Sequence, residues 1–82
     1  MSPKDKEKVV ATAQKFVQKG QFDKAIQEYV KIVRDEPVDV RTWLKIGDLF
    51  AKRGQLQDAT QTYLKVAEIY SQQGFYLKAV AV

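Results

Sequence analysis

Apolar residues near the start of the chain recur every three or four positions, which is the spacing of one face of an α-helix. This first apolar stripe consists of Val9, Val10, Ala13, Phe16 and Val17. Ser2 is a favourable N-cap and Pro3 is favourable at the first helical position. Gly20 adopts the left-handed conformation that ends helices at low cost. The pattern therefore predicts a first helix that begins near Pro3 and ends at Gly20.

Three further stripes predict three further helices. The second stripe is Phe22, Ala25, Ile26, Tyr29, Val30 and Val33. The third is Trp43, Ile46, Gly47, Leu49 and Phe50, and the fourth is Leu56, Ala59, Tyr63, Val66, Ala67 and Tyr70. We expect the second helix to end before Pro37, because the residue before a proline disfavours helix. Asp39 is the expected N-cap of the third helix, and Gly54 and Gly74 are expected to end the third and fourth. No stretch alternates apolar and polar residues with period two, so we expect no strands.

The sequence also repeats itself with a period of 34 residues. The matched pairs are Phe16 and Phe50, Gly20 and Gly54, Phe22 and Leu56, Ala25 and Ala59, and Tyr29 and Tyr63. Connections of two to four residues make consecutive helices antiparallel neighbours. The period therefore predicts stacked helical hairpins, each of which buries its apolar face on the next.

A helix-turn-helix unit of 34 residues with this spacing resembles the tetratricopeptide repeat. In the second unit the family's positions read Trp43, Ile46, Gly47, Phe50, Gly54, Leu56, Ala59, Tyr63 and Val66. In the first unit they read Val9, Thr12, Ala13, Phe16, Gly20, Phe22, Ala25, Tyr29, Ile32 and Pro37, with Thr-Ala where the family has Leu-Gly. The resemblance covers about residues 4–73. It implies an all-α fold in which antiparallel helical hairpins stack as a short α-solenoid, in a single domain over residues 1–82 with repeats at about 4–37 and 39–73.

The end of the chain fits the start of a third hairpin. Gly74, Phe75 and Ala79 again follow the pattern of glycine, aromatic residue and alanine. We therefore expect the helix over about 56–73 to serve two repeats, and a separate partial helix over about 75–82. This segment is apolar apart from Lys78, and no polar capping helix follows it, as soluble solenoids require. One interpretation is that the chain is the N-terminal piece of a longer repeat protein. The other is self-association, and its candidate residues are Phe75, Tyr76, Ala79, Val80 and Val82.

Small and large side chains alternate along the predicted helix faces. The small residues, expected where a neighbouring helix approaches closely, are Ala13, Ala25, Gly47 and Ala59. The large residues, expected to fill the spaces between them, are Phe16, Tyr29, Phe50 and Tyr63. Trp43 lies within the same stripe, and we interpret it as a packing residue between helices, with an exposed partner anchor as the alternative.

Composition argues against catalysis. The chain contains no His and no Cys, so the commonest general base, thiolate nucleophiles and the usual transition-metal ligands are all missing. The glycines expected to end helices, Gly20, Gly54 and Gly74, are 34 and 20 residues apart, and no glycine-rich phosphate-binding loop is present in the sequence. Asp35, Glu36 and Asp39 lack the oxygen spacing of a calcium loop, and we interpret them as a solvated connection with one N-cap. We therefore expect no enzyme activity, no cofactor and no metal site.

The formal net charge of +4 is mild and scattered. We do not expect nucleic-acid binding from this pattern, because the basic arm or stripe of a nucleic-acid-binding protein carries a denser run of positive charge. The N-terminal segment is polar, and no apolar run approaches the roughly 20 residues that span a bilayer. We expect a cytoplasmic protein that does not contact membranes.

The resemblance implies that the first helix of each repeat lines a concave groove that takes a partner peptide or helix. It places eight residues of this chain there: Val10, Gln14, Val17, Leu44, Lys45, Asp48, Ala51 and Lys52. The family's clamp for a C-terminal carboxylate is absent, since it needs Lys and Asn where this chain has Val10, Gln14, Leu44 and Asp48. The remaining strip is mostly apolar with lysines at its edge, which suits a peptide with apolar anchors and some negative charge.

We therefore expect a non-catalytic protein-interaction module, the N-terminal part of a scaffold or adaptor. The alternative is a module that self-assembles through its apolar C-terminal segment and has no groove ligand. RNA binding by helical repeats is a third hypothesis, and Val10, Val17 and Leu44 argue against it because that function needs a polar, basic face. It also remains open that the first helices simply pack on another part of a longer protein.

Overall fold

The computed structural model describes the backbone of residues 1–81 and the side chains of residues 1–74. This part of the chain is all-helical, with no strand. The helices are α1 (Pro3–Gln18), α2 (Phe22–Asp35), α3 (Val40–Lys52) and α4 (Leu56–Ala81). Four helices were expected from the four apolar stripes, and the all-α prediction is confirmed.

The local signals fix most helix ends as predicted. The Ser2 side chain accepts a hydrogen bond from the Asp5 amide at 3.2 Å, and Asp39 Oδ1 accepts one from the Thr42 amide at 3.2 Å. Gly20 and Gly54 have φ angles of 73° and 77°, a left-handed conformation in which a side chain would be strained. These caps satisfy amide groups that have no partner inside the helix.

The two glycine turns are equivalent, and their backbone hydrogen bonds repeat with the same period as the sequence. In each turn the glycine amide bonds three residues back, and the following glutamine amide bonds five residues back. The equivalent bonds are Gly20 to Val17 (2.9 Å) and Gly54 to Ala51 (3.0 Å), and Gln21 to Phe16 (2.8 Å) and Gln55 to Phe50 (2.9 Å). The two hairpins α1–α2 and α3–α4 therefore share one turn geometry.

The predicted helix end at Gly74 is wrong, and so is the separate helix expected over 75–82. Gly74 lies inside α4, and no atom of the described part of the chain lies within 4 Å of the position that its Cβ would occupy. A glycine inside a helix costs only about 1 kcal/mol relative to alanine, so it permits an end without forcing one. Ser71 stands where the repeat pattern would place a proline, and serine does not break a helix. The side chains of Phe75, Tyr76, Ala79 and Val80, and all of Val82, lie outside the described part of the chain.

Each helix packs on its neighbour in sequence: α1 on α2, α2 on α3 and α3 on α4. The pairs are antiparallel, as shown for α2 and α3 by two contacts. Lys45 lies over the ring of Tyr29 and Lys52 over the ring of Phe22, so residue numbers rise along one helix as they fall along the other. The molecule measures 46 × 32 × 18 Å, and its shortest dimension corresponds to about two helix diameters.

The core lies between the helices and contains the small residues as predicted. Ala13 and Ala25 are fully buried and Ala59 is nearly so. The main core cluster is Ala13, Ala25, Ile26, Tyr29, Ile32, Val33, Ile46 and Leu49. From α4, the residues Ala59, Thr62, Val66 and Ile69 are buried. These small side chains let neighbouring helices approach closely enough to reach interior packing density.

The large residues differ in how deeply they pack. Tyr29 is buried, and Phe16 and Phe50 are half-buried against the core. Tyr63 fills the space beside Gly47 on one side of its ring but is 38% exposed. Trp43 packs against the core, and its indole Nε1 donates a hydrogen bond to the Pro37 carbonyl at 2.8 Å. The interpretation of Trp43 as a packing residue is therefore confirmed.

None of the helices described is both long enough and apolar enough to cross a membrane.

Candidate functional site

An open cleft of about 200 Å³ lies where side chains of α1, α2 and α3 converge. Its lining residues are Val17, Tyr29, Lys45, Asp48, Leu49 and Lys52, and we call it the three-helix cleft. Four of the eight groove residues predicted from the sequence lie here: Val17, Lys45, Asp48 and Lys52. The floor is apolar, since Tyr29 and Leu49 are buried and Val17 is half-buried.

Helical spacing explains why the polar residues of α3 share this rim. Asp48 follows Lys45 by three residues and precedes Lys52 by four, and residues three, four or seven apart lie on one helix face. On α2, Phe22 and Tyr29 are also seven residues apart and face α3. Two matched faces of two antiparallel helices therefore build this wall of the cleft.

Each rim lysine extends over an aromatic ring of α2. Lys45 Nζ is 5.5 Å from the centroid of the Tyr29 ring, and Lys52 Nζ is 5.9 Å from the centroid of the Phe22 ring. At these distances a cation is attracted to the face of the ring, and the methylene stem covers apolar surface while the charge stays in water. Both ammonium groups are thus held at the edge of the cleft.

Asp48 is tied to α4. The Tyr63 hydroxyl donates a hydrogen bond to Asp48 Oδ1. This hydrogen bond, with smaller contributions from burial and from the negative charge of Asp48, raises the pKa of Tyr63 above its ordinary value. The hydrogen bond therefore links α3 to α4 within the second hairpin and engages one carboxylate oxygen of Asp48.

The rim carries more positive than negative charge. Neither Lys45 nor Lys52 forms an ion pair with a carboxylate in the part of the chain whose side chains are described; the ion pairs there involve Met1, Lys6 and Lys31 instead. Since Asp48 accepts its hydrogen bond from Tyr63, the two lysines present their charges outward.

The other four predicted groove residues do not line this cleft. Val10 and Gln14 border a separate open depression of about 400 Å³ along α1, together with Pro3, Lys6, Glu7 and Ala11. Leu44 and Ala51 are exposed on α3 and border neither space. The eight residues expected to form one groove are therefore not contiguous: four line the three-helix cleft and four lie elsewhere on α1 and α3.

Sequence reasoning missed the aromatic members of the site. Phe22, Tyr29 and Tyr63 were assigned to packing alone, because apolar periodicity reports which face a residue occupies and not which polar group lies above it. A signal was present in the matched spacing of seven residues between Lys45 and Lys52 and between Phe22 and Tyr29.

A second polar cluster joins α1 to the connection between α2 and α3. Lys6 Nζ lies 2.7 Å from Glu36 and 2.8 Å from Asp39, and the Met1 amine lies 2.6 Å from Asp35. Burial is the largest single influence on the pKa of Asp39, and it acts to raise this pKa because it disfavours the charged form. The hydrogen bonds from Lys6 and Thr42, with the charge of Lys6, together outweigh it and lower the pKa of Asp39. The contacts of Lys6 with Asp39 and, next in size, with Glu36 raise the pKa of Lys6. The carboxylates of this connection are therefore structural.

Among the described residues, no group of His, Cys, Asp or Glu side chains could hold a metal ion. The cleft offers hydrophobic contact, two cations and one carboxylate, which are the elements of a binding surface.

The sequence matches no family model, and comparison with curated proteins finds no significant match.

Proposed function

We propose that this chain is a non-catalytic protein-interaction module of the tetratricopeptide-repeat type, serving a scaffold or adaptor, and that it binds a partner peptide or helix in the three-helix cleft. The observation that carries the proposal is the composition of the cleft, where an apolar floor is bordered by two outward-facing lysines. Peptide-binding surfaces combine apolar pockets that provide affinity with polar groups that fix orientation.

The repeat interpretation is supported by the equivalence of the two turns. Gly20 and Gly54 share a left-handed conformation, and Ala25 and Ala59 occupy equivalent buried positions after them. Packing between sequence neighbours is what stacked repeats require, because each unit buries its apolar face on the next. These features favour a short α-solenoid that continues the α1–α2 hairpin into the α3–α4 hairpin.

The function is tested by selecting binders from a displayed library of random 16-residue peptides. Amide chemical-shift mapping of the ¹⁵N-labelled protein with a selected peptide should then move the signals of Val17, Lys45 and Leu49 most. Val17→Glu should weaken binding at least tenfold, because it buries a charge against the apolar floor. Gln27→Glu is the matched control, since Gln27 is exposed and lies two residues from Tyr29, on another face of α2.

Unchanged melting and helical circular dichroism of Val17→Glu would show that the loss reflects the cleft itself. Selected peptides that shift signals only outside the three-helix cleft would refute the proposal. Val10→Glu separates the compact cleft from a longer groove, since Val10 borders the other depression; we expect its effect to be smaller than that of Val17→Glu.

A second candidate function is self-assembly, and the exposed face of α4 favours it. Leu64 and Tyr70 are 62% and 51% exposed, and the described part of α4 packs on α3, which is half the length of α4. Exposed apolar side chains of this size can contribute to an interaction surface between copies of a chain. Light scattering at rising protein concentration tests the candidate: a constant monomer mass would refute it, and a dimer that Leu64→Glu dissociates would support it.

A further inference from the structure

The hydrogen bond from Tyr63 engages Asp48, the carboxylate among the residues that line the three-helix cleft. Asp48 stands at the helical spacings from Lys45 and Lys52 at which opposite charges on one helix usually meet. Neither ion pair forms in the described part of the chain, and Asp48 instead accepts a hydrogen bond from Tyr63 on α4, the other helix of the same hairpin. The lysines are held over Tyr29 and Phe22.

We infer that the three-helix cleft selects an acidic amphipathic helix, with two carboxylates seven residues apart on either side of an apolar anchor, and that Tyr63 positions Asp48 so that both lysines stay available to it. The inference rests on the proposed function and adds the chemistry of the partner. Lys45 and Lys52 are seven residues apart, so their Cα atoms are about 10.5 Å apart along α3. Glutamates at positions i and i+7 of a partner helix have the same separation.

The apolar floor supplies the remaining requirement. Val17, Tyr29 and Leu49 line the same cleft as the two lysines. A leucine at position i+4 of the partner lies on the same face as glutamates at i and i+7. Such a helix therefore presents an anchor to the floor and a carboxylate to each lysine. Charge complementarity of this kind determines orientation and selectivity more than total affinity.

Tyr63 acts in this arrangement as a positioning residue. When the Tyr63 hydroxyl is removed, Asp48 is free to turn toward Lys45 or Lys52 and to compete with the partner's carboxylates. The hydroxyl is therefore expected to matter only while position 48 carries a charge. This dependence distinguishes positioning from a purely structural role of the Tyr63 ring.

The test uses a defined 18-residue helical peptide built from Ala and Gln, with Glu at i and i+7, Leu at i+4 and both ends blocked. Two comparison peptides carry Gln in place of both glutamates, or the second Glu moved to i+5 on another helix face. Dissociation constants are measured by fluorescence anisotropy at low and high salt. We expect each lost ion pair to weaken binding roughly two- to fivefold. Added salt should weaken the binding of the glutamate peptides and leave that of the Gln peptide unchanged.

On the protein side, Lys45→Gln and Lys52→Gln should each weaken binding of the Glu peptide by the same factor and leave the Gln peptide unaffected. Lys24→Gln is the matched control, because Lys24 also lies over a ring, that of Phe16, but outside the cleft. Tyr63→Phe should weaken binding of the Glu peptide. The double variant with Tyr63→Phe and Asp48→Asn should bind the Glu peptide at least as tightly as the unchanged protein does.

The outcomes separate the two proposals. If the Gln peptide binds the cleft as tightly as the Glu peptide, the proposed function stands and the acidic specificity is wrong. If Tyr63→Phe binds the Glu peptide as tightly as the unchanged protein, the positioning role is wrong. If no peptide of the set binds, and the displayed library also yields no binder to the cleft, both the function and the specificity are wrong.

Discussion

The ring of Tyr63 on α4 lies directly against Gly47 on α3. A Cβ atom at position 47 would stand 2.7 Å from Cε1 of Tyr63, closer than real Cβ atoms approach, and 3.0 Å from Cδ1. The absence of a side chain at 47 thus lets the ring reach across α3, so that its hydroxyl meets Asp48 one residue further on. Close helix packing and the polar geometry of the cleft depend on the same glycine.

Gly47→Ala is therefore expected to destabilise the protein. Overpacking typically costs roughly 1–3 kcal/mol, and the better helix propensity of alanine returns up to about 1 kcal/mol. We expect a net loss of roughly 1 kcal/mol in the free energy of unfolding, measured by urea denaturation followed by circular dichroism. Gly74→Ala is the matched control, since none of the described side chains comes within 4 Å of a Cβ there, and it should raise stability by roughly 0.5–1 kcal/mol. Equal effects of the two substitutions would contradict the contact.

A larger side chain at position 59 is also expected to destabilise the second hairpin. Ala59 is buried where α4 packs on α3, so Ala59→Leu should lower the free energy of unfolding by roughly 1–3 kcal/mol through overpacking. Ala67→Leu, at an exposed position of the same helix, should change stability by less than about 0.5 kcal/mol. A melting midpoint of Ala59→Leu equal to that of the unchanged protein would show that the helices do not pack closely at this position.

The helix boundaries could be predicted from the sequence because their causes are local. Ser2 and Asp39 bond to amides three residues away, and Gly20 and Gly54 adopt a conformation that few other residues tolerate. The helix end predicted at Gly74 was wrong because the local signal is permissive there. A glycine permits a helix end, and whether the helix ends depends on packing that the sequence does not display.

The site was predicted only in part, because its geometry depends on contacts between helices. The resemblance to the tetratricopeptide repeat placed Lys45, Asp48 and Lys52 in the expected groove. It could not show which ring each lysine would lie over, or that Tyr63 would reach Asp48 from a helix fifteen residues further along the chain. Val10 and Val17 share a face of α1, yet of the two only Val17 borders the cleft, while Val10 borders the depression along α1.

Asp39 predicts a dependence of stability on acid pH. Its pKa is lower in the folded protein than in the unfolded chain, so the unfolded chain takes up the proton first as the pH falls. The stabilisation by ionised Asp39 is therefore present at neutral pH and lost progressively below about pH 4. Urea midpoints at several pH values should show that Asp39→Asn, which keeps an N-capping side chain, loses less stability in acid than the unchanged protein.

Glu68→Gln serves as the control for Asp39→Asn, because Glu68 is exposed and forms no ion pair within the described side chains. Its acid dependence should match that of the unchanged protein. Asp39→Ala also removes the cap and should cost about 1 kcal/mol at neutral pH. Parallel acid curves for Asp39→Asn and the unchanged protein would contradict the role assigned to Lys6 and Thr42.

Tyr29 and Tyr63 predict a dependence on alkaline pH, for different physical reasons. Burial raises the pKa of Tyr29, and the hydrogen bond to Asp48 is the main cause of the raised pKa of Tyr63. A raised pKa in the fold means that the unfolded chain loses these protons first, so the associated stability is complete below about pH 10 and disappears as the pH rises through the folded values. Absorbance titration of the tyrosines should show groups that ionise at a higher pH than free tyrosine. Tyr29→Phe and Tyr63→Phe should each remove one of these groups from the titration. Asp48→Asn should bring the titration of Tyr63 to lower pH and leave Tyr29 unchanged; a titration in which Asp48→Asn moves neither tyrosine would refute the Tyr63–Asp48 hydrogen bond in solution.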